Sequence, residues 1–207
     1  MTVEFPPSAV QRSLGEASPA LQPGPGAKQR VLVTADRLFY DEGIRTVGVD
    51  RLIAESSVTK ATFYKHFGAK DNLVLDYMRR RRDDAMATVD EIRADAGSPL
   101  DALRELLASI SDEIQAPGFR GCPFVNAAAE FAEPEHPVRQ IVVQHREWYT
   151  DALVTLFREA GHPMSGDAAD EFYLARDGAM VAGYAGDAIA ATSAMARVTE
   201  RLFADCA

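Results

Sequence analysis

The sequence predicts an all-α chain of about nine helices, and three observations carry that prediction. Apolar residues recur at intervals of three and four in segment after segment, no segment alternates with period two, and glycine or proline falls between the helical stretches. Val31, Leu32, Ala35, Leu38 and Phe39 define a first helix near 27–42, which Gly43 stops. Leu52 and Ile53 lie in a short helix near 49–56, and Phe63 and Phe67, four apart, anchor another near 59–66 before Gly68. A long helix near 70–94 begins with Leu73, Val74, Tyr77 and Met78 and ends at Gly97, Ser98 and Pro99. Leu100, Leu103, Leu107, Ile110 and Ile114 mark the next, ended by Pro117 and Gly118. Phe124 to Phe131 reads as one short helix, and a stripe from Val138 through Ile141, His145, Trp148 and Ala152 to Phe157 marks a long one ended by Gly161. Ala-rich segments near 168–190 and 194–204 complete the set. Residues 1–26 hold five of the eleven prolines, so a disordered tail with Arg12 as its lone cation is expected there.

Composition narrows the function classes. With 207 residues, 47% of them hydrophobic and 26% charged, the chain has the makings of a sizeable core and is too apolar to be mostly disordered. The most apolar stretch, Gly178 to Arg197, is interrupted by Asp187, so no membrane partner is expected. The opening Met1 to Pro7 lacks the basic then apolar order of an export signal, and a cytoplasmic location is expected. Cys122 and Cys206 stand far apart with no ligand-spaced Cys or His nearby, so neither a disulfide nor a metal or other cofactor is indicated.

The net charge of −9 is unevenly spread. Residues 28–82 carry 12 Lys and Arg against 7 Asp and Glu, or +5, whereas residues 83–207 carry 9 against 22, or −13. All four lysines, Lys28, Lys60, Lys65 and Lys70, fall in the basic block. A basic module joined to an acidic one implies a polyanion binder with a second task.

Leu52 to Phe67 forms two short helices broken by a three-residue turn, a helix-turn-helix pattern. On the second helix Val58, Phe63 and Phe67 point inward by spacing, leaving Lys60, Ala61, Tyr64 and Lys65 as an outward stripe. Thr59 is placed to cap this helix, whose free N–H groups favour a phosphate and whose first residues reach base edges. Ala61 and the Thr62 methyl suit a thymine methyl, and Lys60 a guanine edge or a phosphate. Tyr64, Lys65 and His66 suit backbone phosphates, and Lys70 the adjacent strand. The bland alternative is a small three-helix core whose charges form a solvated face.

The run Thr-Lys-x-Thr-Phe-Tyr-x-His-Phe, here Thr59 to Phe67, resembles the tetracycline-repressor (TetR) family of bacterial transcriptional regulators. The likeness covers roughly Arg30 to Leu73, with the helix ending Leu38-Phe39-Tyr40, the Gly43 turn, and Gly68 to Leu73. Gly121 to Phe131 resembles a segment found in one branch of that family's ligand domains. The chain departs at Ser57, where the family has glycine and a left-handed Ser costs roughly 1 kcal/mol. It departs again at Ser56, whose hydroxyl needs a partner or solvent, and at Val47-Gly48, where a threonine pair often caps the second helix; Thr46 and Gly48 are then the candidates for contacting phosphate.

The resemblance implies a helix-turn-helix DNA-binding domain over 27–72 and a helical ligand-binding and dimerisation domain over 73–207. It implies a homodimer that spans a near-palindromic double-stranded DNA operator with its two recognition helices about 34 Å apart, and that a small molecule releases. Gly178, Gly183 and Gly186 then serve either the interface between copies or packing within one chain. Pocket candidates are Phe119, Phe124, Asn126, Phe131, His145, Trp148, Tyr149, Phe172, Tyr173 and Arg176, although most residues of this kind are plain core. Two other classes compete. A helical interaction protein would need no DNA. An enzyme would draw on Cys122 with His136 or His145, or on Glu133-x-x-His136, which Pro134 and Pro137 make a turn.

Overall fold

The structure, a computed structural model, describes residues 26–206, so the tail expected over 1–26 lies, apart from Gly26, outside the described residues. Among these there are nine helices and no strand. They are α1 (Ala27–Glu42), α2 (Val49–Glu55), α3 (Lys60–Phe67), α4 (Lys70–Asp95), α5 (Pro99–Gln115), α6 (Pro123–Glu130), α7 (Pro137–Glu159), α8 (Ser165–Ala185) and α9 (Ala188–Ala204). None is long and apolar enough to cross a membrane.

The helix ends follow local chemistry. Gly43 closes α1 at φ 93°, a backbone that an L side chain adopts only with strain, while its N–H donates to Phe39. Ser98 caps α5 by accepting from the Asp101 N–H, with Pro99 in the first turn. The last two helices meet earlier than the spacing of apolar residues suggests. The break expected between 190 and 194 lies at Gly186 and Asp187, because the Asp187 carboxylate accepts from the N–H groups of Ile189 and Ala190 and starts α9 there.

Packing divides the described chain into two units. One comprises residues up to 85 together with 122–145, and the other 86–121 with 146–206. This grouping by packing is a different division from the one drawn by motif between residues 72 and 73. In the first unit α1, α2 and α3 enclose Val31, Ala35, Leu38, Leu52, Phe63 and Phe67, and the start of α4 adds Leu73, Tyr77 and Met78. Phe124 and Ala127 of α6 and Val138 and Ile141 of α7 belong to the same unit.

In the second unit α8 and α9 pack on each other and on α5. Phe157, Phe172 and Phe203 form an aromatic cluster with centroids 6.1 to 6.4 Å apart. Gly183 lets α8 lie close to α5, since a Cβ there would fall 2.4 Å from Ile114 Cγ2. Ile114 is buried and, being β-branched, has little rotamer freedom to yield. Gly183→Ala should therefore cost about 1–3 kcal/mol in overpacking against about 1 kcal/mol gained in helix propensity. The urea midpoint is expected to fall, and a midpoint that held or rose would refute this packing.

Candidate functional site

The turn between α2 and α3 is built on two serines. Ser57 has φ 53°, the left-handed conformation that departure from glycine makes costly. Hydrogen bonds from the Ser57 N–H to Ala54 (3.3 Å) and from the Val58 N–H to Ile53 (3.3 Å) hold it. Ser56 is buried, and its hydroxyl finds its partner in the Leu52 carbonyl at 2.5 Å. Arg30 donates from Nε to the Ser56 carbonyl at 3.3 Å, tying the turn to α1.

Thr59 caps α3 by accepting from the Thr62 N–H at 3.1 Å, and the two hydroxyls lie 2.8 Å apart. Phe63 and Phe67 are buried with centroids 5.5 Å apart, while Val58 is half-buried. Opposite them Thr59, Lys60, Ala61, Tyr64, Lys65 and His66 are exposed, and Thr62 is half-buried. The Tyr64 ring rests edge-on against Phe63, which fixes its direction and leaves it 43% exposed.

Pairing sorts the cations of the basic block. Lys28 pairs with Asp76, Arg37 with Glu55, Arg51 with Glu42 and Glu55, and Arg81 with Asp36. Among the described residues Lys60 and Lys65 form no ion pair, so their charge stays available on the α3 face. Lys70 is differently employed. Its ammonium donates to the Ile44 carbonyl at 2.6 Å and lies 5.8 Å from the Phe39 ring centre, and burial lowers its pKa from the usual lysine value. It braces the protein's own turn.

That turn, between α1 and α2, holds two residues that motif reasoning missed. Thr46 and Gly48 are exposed, and Gly48 starts α2 without a side-chain cap. Beside them Arg45 is exposed, its guanidinium 5.4 Å from the centre of the Phe131 ring. Glu130 reaches the turn from the end of α6, its two carboxylate oxygens accepting from the N–H groups of Ile44 (2.9 Å) and Arg45 (2.7 Å). Adjacency to Thr46 was the available signal for Arg45; for Glu130, 85 residues on, the sequence holds none.

The pocket candidates separate by unit. In the first, Phe124 stacks on buried His145 at 3.6 Å, and Phe131 on His136 at 4.4 Å. Asn126 lines a niche of about 10 Å³, room for about one water, which no effector fits. In the second unit Phe172 belongs to the aromatic cluster and Phe119 is half-buried. Half-buried Trp148 meets Tyr149 edge-on at 5.8 Å. Buried Arg176 lies 5.2 Å from the centre of the Tyr149 ring and donates to Asp177 at 3.0 Å. Tyr173 lines an open cleft of about 640 Å³ with Arg146, Glu147, Thr150, Asp151 and Asp170. Of the enzyme candidates, Cys122 is buried where α6 begins, and Glu133 to His136 forms a turn in which the His136 ring accepts from the Val138 N–H.

Burial pushes the Tyr149 phenol from 10.0 up to about 12, against a smaller opposing pull from Arg176. The folded state therefore keeps a proton that the unfolded chain gives up above about pH 10, and stability falls as pH rises through that window. Urea midpoints measured from about pH 9 to 11 should fall less steeply in Tyr149→Phe than in the wild type. Equal slopes would contradict the buried phenol.

Residues 31–77 match the family described as "Bacterial regulatory proteins, tetR family", and residues 99–171 the "Tetracyclin repressor-like, C-terminal domain". The crystal structure of a TetR-family transcriptional regulator from Streptomyces coelicolor is 39% identical, covers 87% of this chain and 95% of that one, and superposes with a TM-score of 0.83. The HTH-type transcriptional regulator LmrA of Bacillus subtilis is 23% identical over 59% of this chain. The HTH-type transcriptional repressor KstR2 of Rhodococcus jostii is 27% identical over 65%. The chain spans 66% and 61% of the lengths of those two curated relatives. The chain belongs to the TetR family of bacterial transcriptional regulators.

Proposed function

We propose that the chain is a cytoplasmic homodimeric repressor that holds a near-palindromic double-stranded DNA operator and releases it when a small molecule binds its C-terminal helices. The observation that carries this reading is the exposed α3 face, where Lys60, Ala61, Tyr64 and Lys65 stand clear of the core and the two lysines keep their charge unpaired. On a duplex, Lys60 and Ala61 meet base edges, with the Thr62 methyl beside them. Thr59, Tyr64, Lys65 and His66 take phosphates, as do Thr46 and Gly48 at the start of α2. Lys70 acts behind this surface by holding Ile44.

Dimerisation is supported by α8, whose buried and exposed faces are both apolar. Phe172, Arg176, Ala179 and Met180 are buried in the subunit, whereas Leu174 (71% exposed) and Val181 (56%) lie outward with Gly178 between them. A Cβ on Gly178 would meet nothing within 4 Å, so this glycine is available to a second copy while Gly183 serves packing within the chain. An isologous contact along such a stripe relates two α3 helices by a two-fold axis, the symmetry a palindrome requires.

Release follows from differential affinity: an effector that binds better to a state with the recognition helices out of one-turn spacing withdraws the dimer from DNA. The cleft lined by Tyr173 has a volume within the range small ligands occupy. The sign of regulation is supported by the likeness to KstR2, a repressor by name. The reading is tested by selecting bound duplexes from random-sequence DNA at about 150 mM salt, where phosphate binding alone is weak. Enrichment of an inverted repeat with half-site centres about 34 Å apart is expected, and recovery of no motif would count against operator binding.

A further inference from the structure

We propose that Glu130 is a positioning residue for the DNA-contacting turn: from the end of α6 its carboxylate holds the main chain of Ile44 and Arg45, and a shift of α6 that withdraws it loosens the operator-facing start of α2. This rests on the operator-binding reading and adds to it the means by which the second half of the sequence controls the first.

The carboxylate is used on both sides, one oxygen accepting from the Ile44 N–H at 2.9 Å and the other from the Arg45 N–H at 2.7 Å. Bonds to an ionised acceptor are stronger than neutral ones. Gly43 makes the approach feasible, since its φ of 93° suits glycine and a Cβ there would lie 3.4 Å from the same carboxylate. On the other side of the residue Lys70 donates to the Ile44 carbonyl at 2.6 Å. Ile44 is thus held through its N–H by α6 and through its carbonyl by α4, and two helices fix the point from which Thr46 and Gly48 lead into α2.

Phe131, next to Glu130, adds a second contact from the same place by carrying the Arg45 guanidinium on its ring. Behind the latch the niche between Phe39, Ile44, Tyr77, Asn126 and Glu130 has only about 10 Å³ free, so α6 has no slack there. Hydrogen bonds weaken steeply beyond about 3.2 Å, so withdrawal of α6 by about 1 Å suffices to open both.

The test compares wild type, Glu130→Gln and Glu130→Ala in the full-length protein. The readouts are affinity for the selected operator duplex, affinity for a random duplex, and amide hydrogen exchange at Ile44 and Arg45. Glu130→Ala is expected to lose about tenfold in operator affinity with random-duplex affinity unchanged, and to exchange both amides at least about tenfold faster while α5 keeps its protection. Glu130→Gln, near-isosteric and keeping one acceptor oxygen, is expected to fall between. Unchanged operator affinity in Glu130→Ala overturns the proposal, as does faster exchange spread through α5 with equal loss on both duplexes, the mark of a general loss of stability. Should the wild type select no operator, the operator reading fails by itself; unchanged protection of Ile44 and Arg45 in Glu130→Gln then overturns the latch on its own readout.

Discussion

Replacing Lys60 and Tyr64 together by alanine is expected to abolish operator binding at physiological salt while leaving the fold intact. Both side chains are exposed on α3, and neither contributes to the core that Phe63 and Phe67 build. Removing one base or phosphate interaction commonly weakens binding by a factor of about 5 to 100, and in a dimer each substitution acts at both half-sites, so a combined drop of at least about 10³-fold is expected. The slope of log affinity against log salt should also become shallower by about one for each phosphate left without its protein partner. Fluorescence anisotropy on the selected duplex reads the first effect and a salt series the second. The thermal midpoint should stay within a degree or two, because surface changes away from caps and core seldom exceed about 0.5 kcal/mol. A double variant that still bound the operator at wild-type strength would remove α3 from the interface and favour the interaction-protein reading of the basic block.

The elements were legible where sequence periodicity and breakers agreed. Helix α3 with its Thr59 cap, the Gly43 and Gly68 stops, and the outward Lys-Ala-Tyr-Lys stripe all follow from spacing within one or two turns of chain, and the structure has them. The costs expected at the α2–α3 turn also take physical form, Ser57 in the left-handed region and Ser56 with its hydroxyl on Leu52. What spacing could not deliver is partnership across long separations. Nothing near Glu130 announces that its carboxylate serves Ile44 and Arg45, and nothing near Lys70 announces that its amine is spent on Ile44 rather than left for a phosphate. Aromatic and polar residues on apolar stripes were equally ambiguous, because a core and a ligand wall are made of the same types. Phe172 went to an aromatic cluster and Phe124 to a stack on His145, while Tyr173 reached an open cleft. The Gly186-Asp187 break escapes periodicity because Asp187 reads as an interruption of an apolar run, whereas its carboxylate acts as a cap.

Charging the outer face of α8 should have an effect as large as emptying α3, and for a different reason. In Leu174→Asp with Val181→Asp each subunit places two carboxylates on a stripe that an isologous contact sets against itself, so like charges meet across the axis and apolar cover is removed. The subunit itself has little reason to unfold, since both side chains are more than half exposed and the helix is anchored by Phe172, Ala179 and Met180 on its other face. Sedimentation should then show the mass halved. Operator affinity should drop by at least about 10²-fold, because binding of the second half-site ceases to be intramolecular, while affinity for an isolated half-site should stay unchanged. Gly178→Trp approaches the same face sterically: the lone subunit has open space at that Cβ, so the indole obstructs only a partner and gives the same dissociation without added charge. Dimers that persisted in both variants would show that α8 is not the contact, and the symmetry that brings two α3 helices to one operator would have to come from another surface.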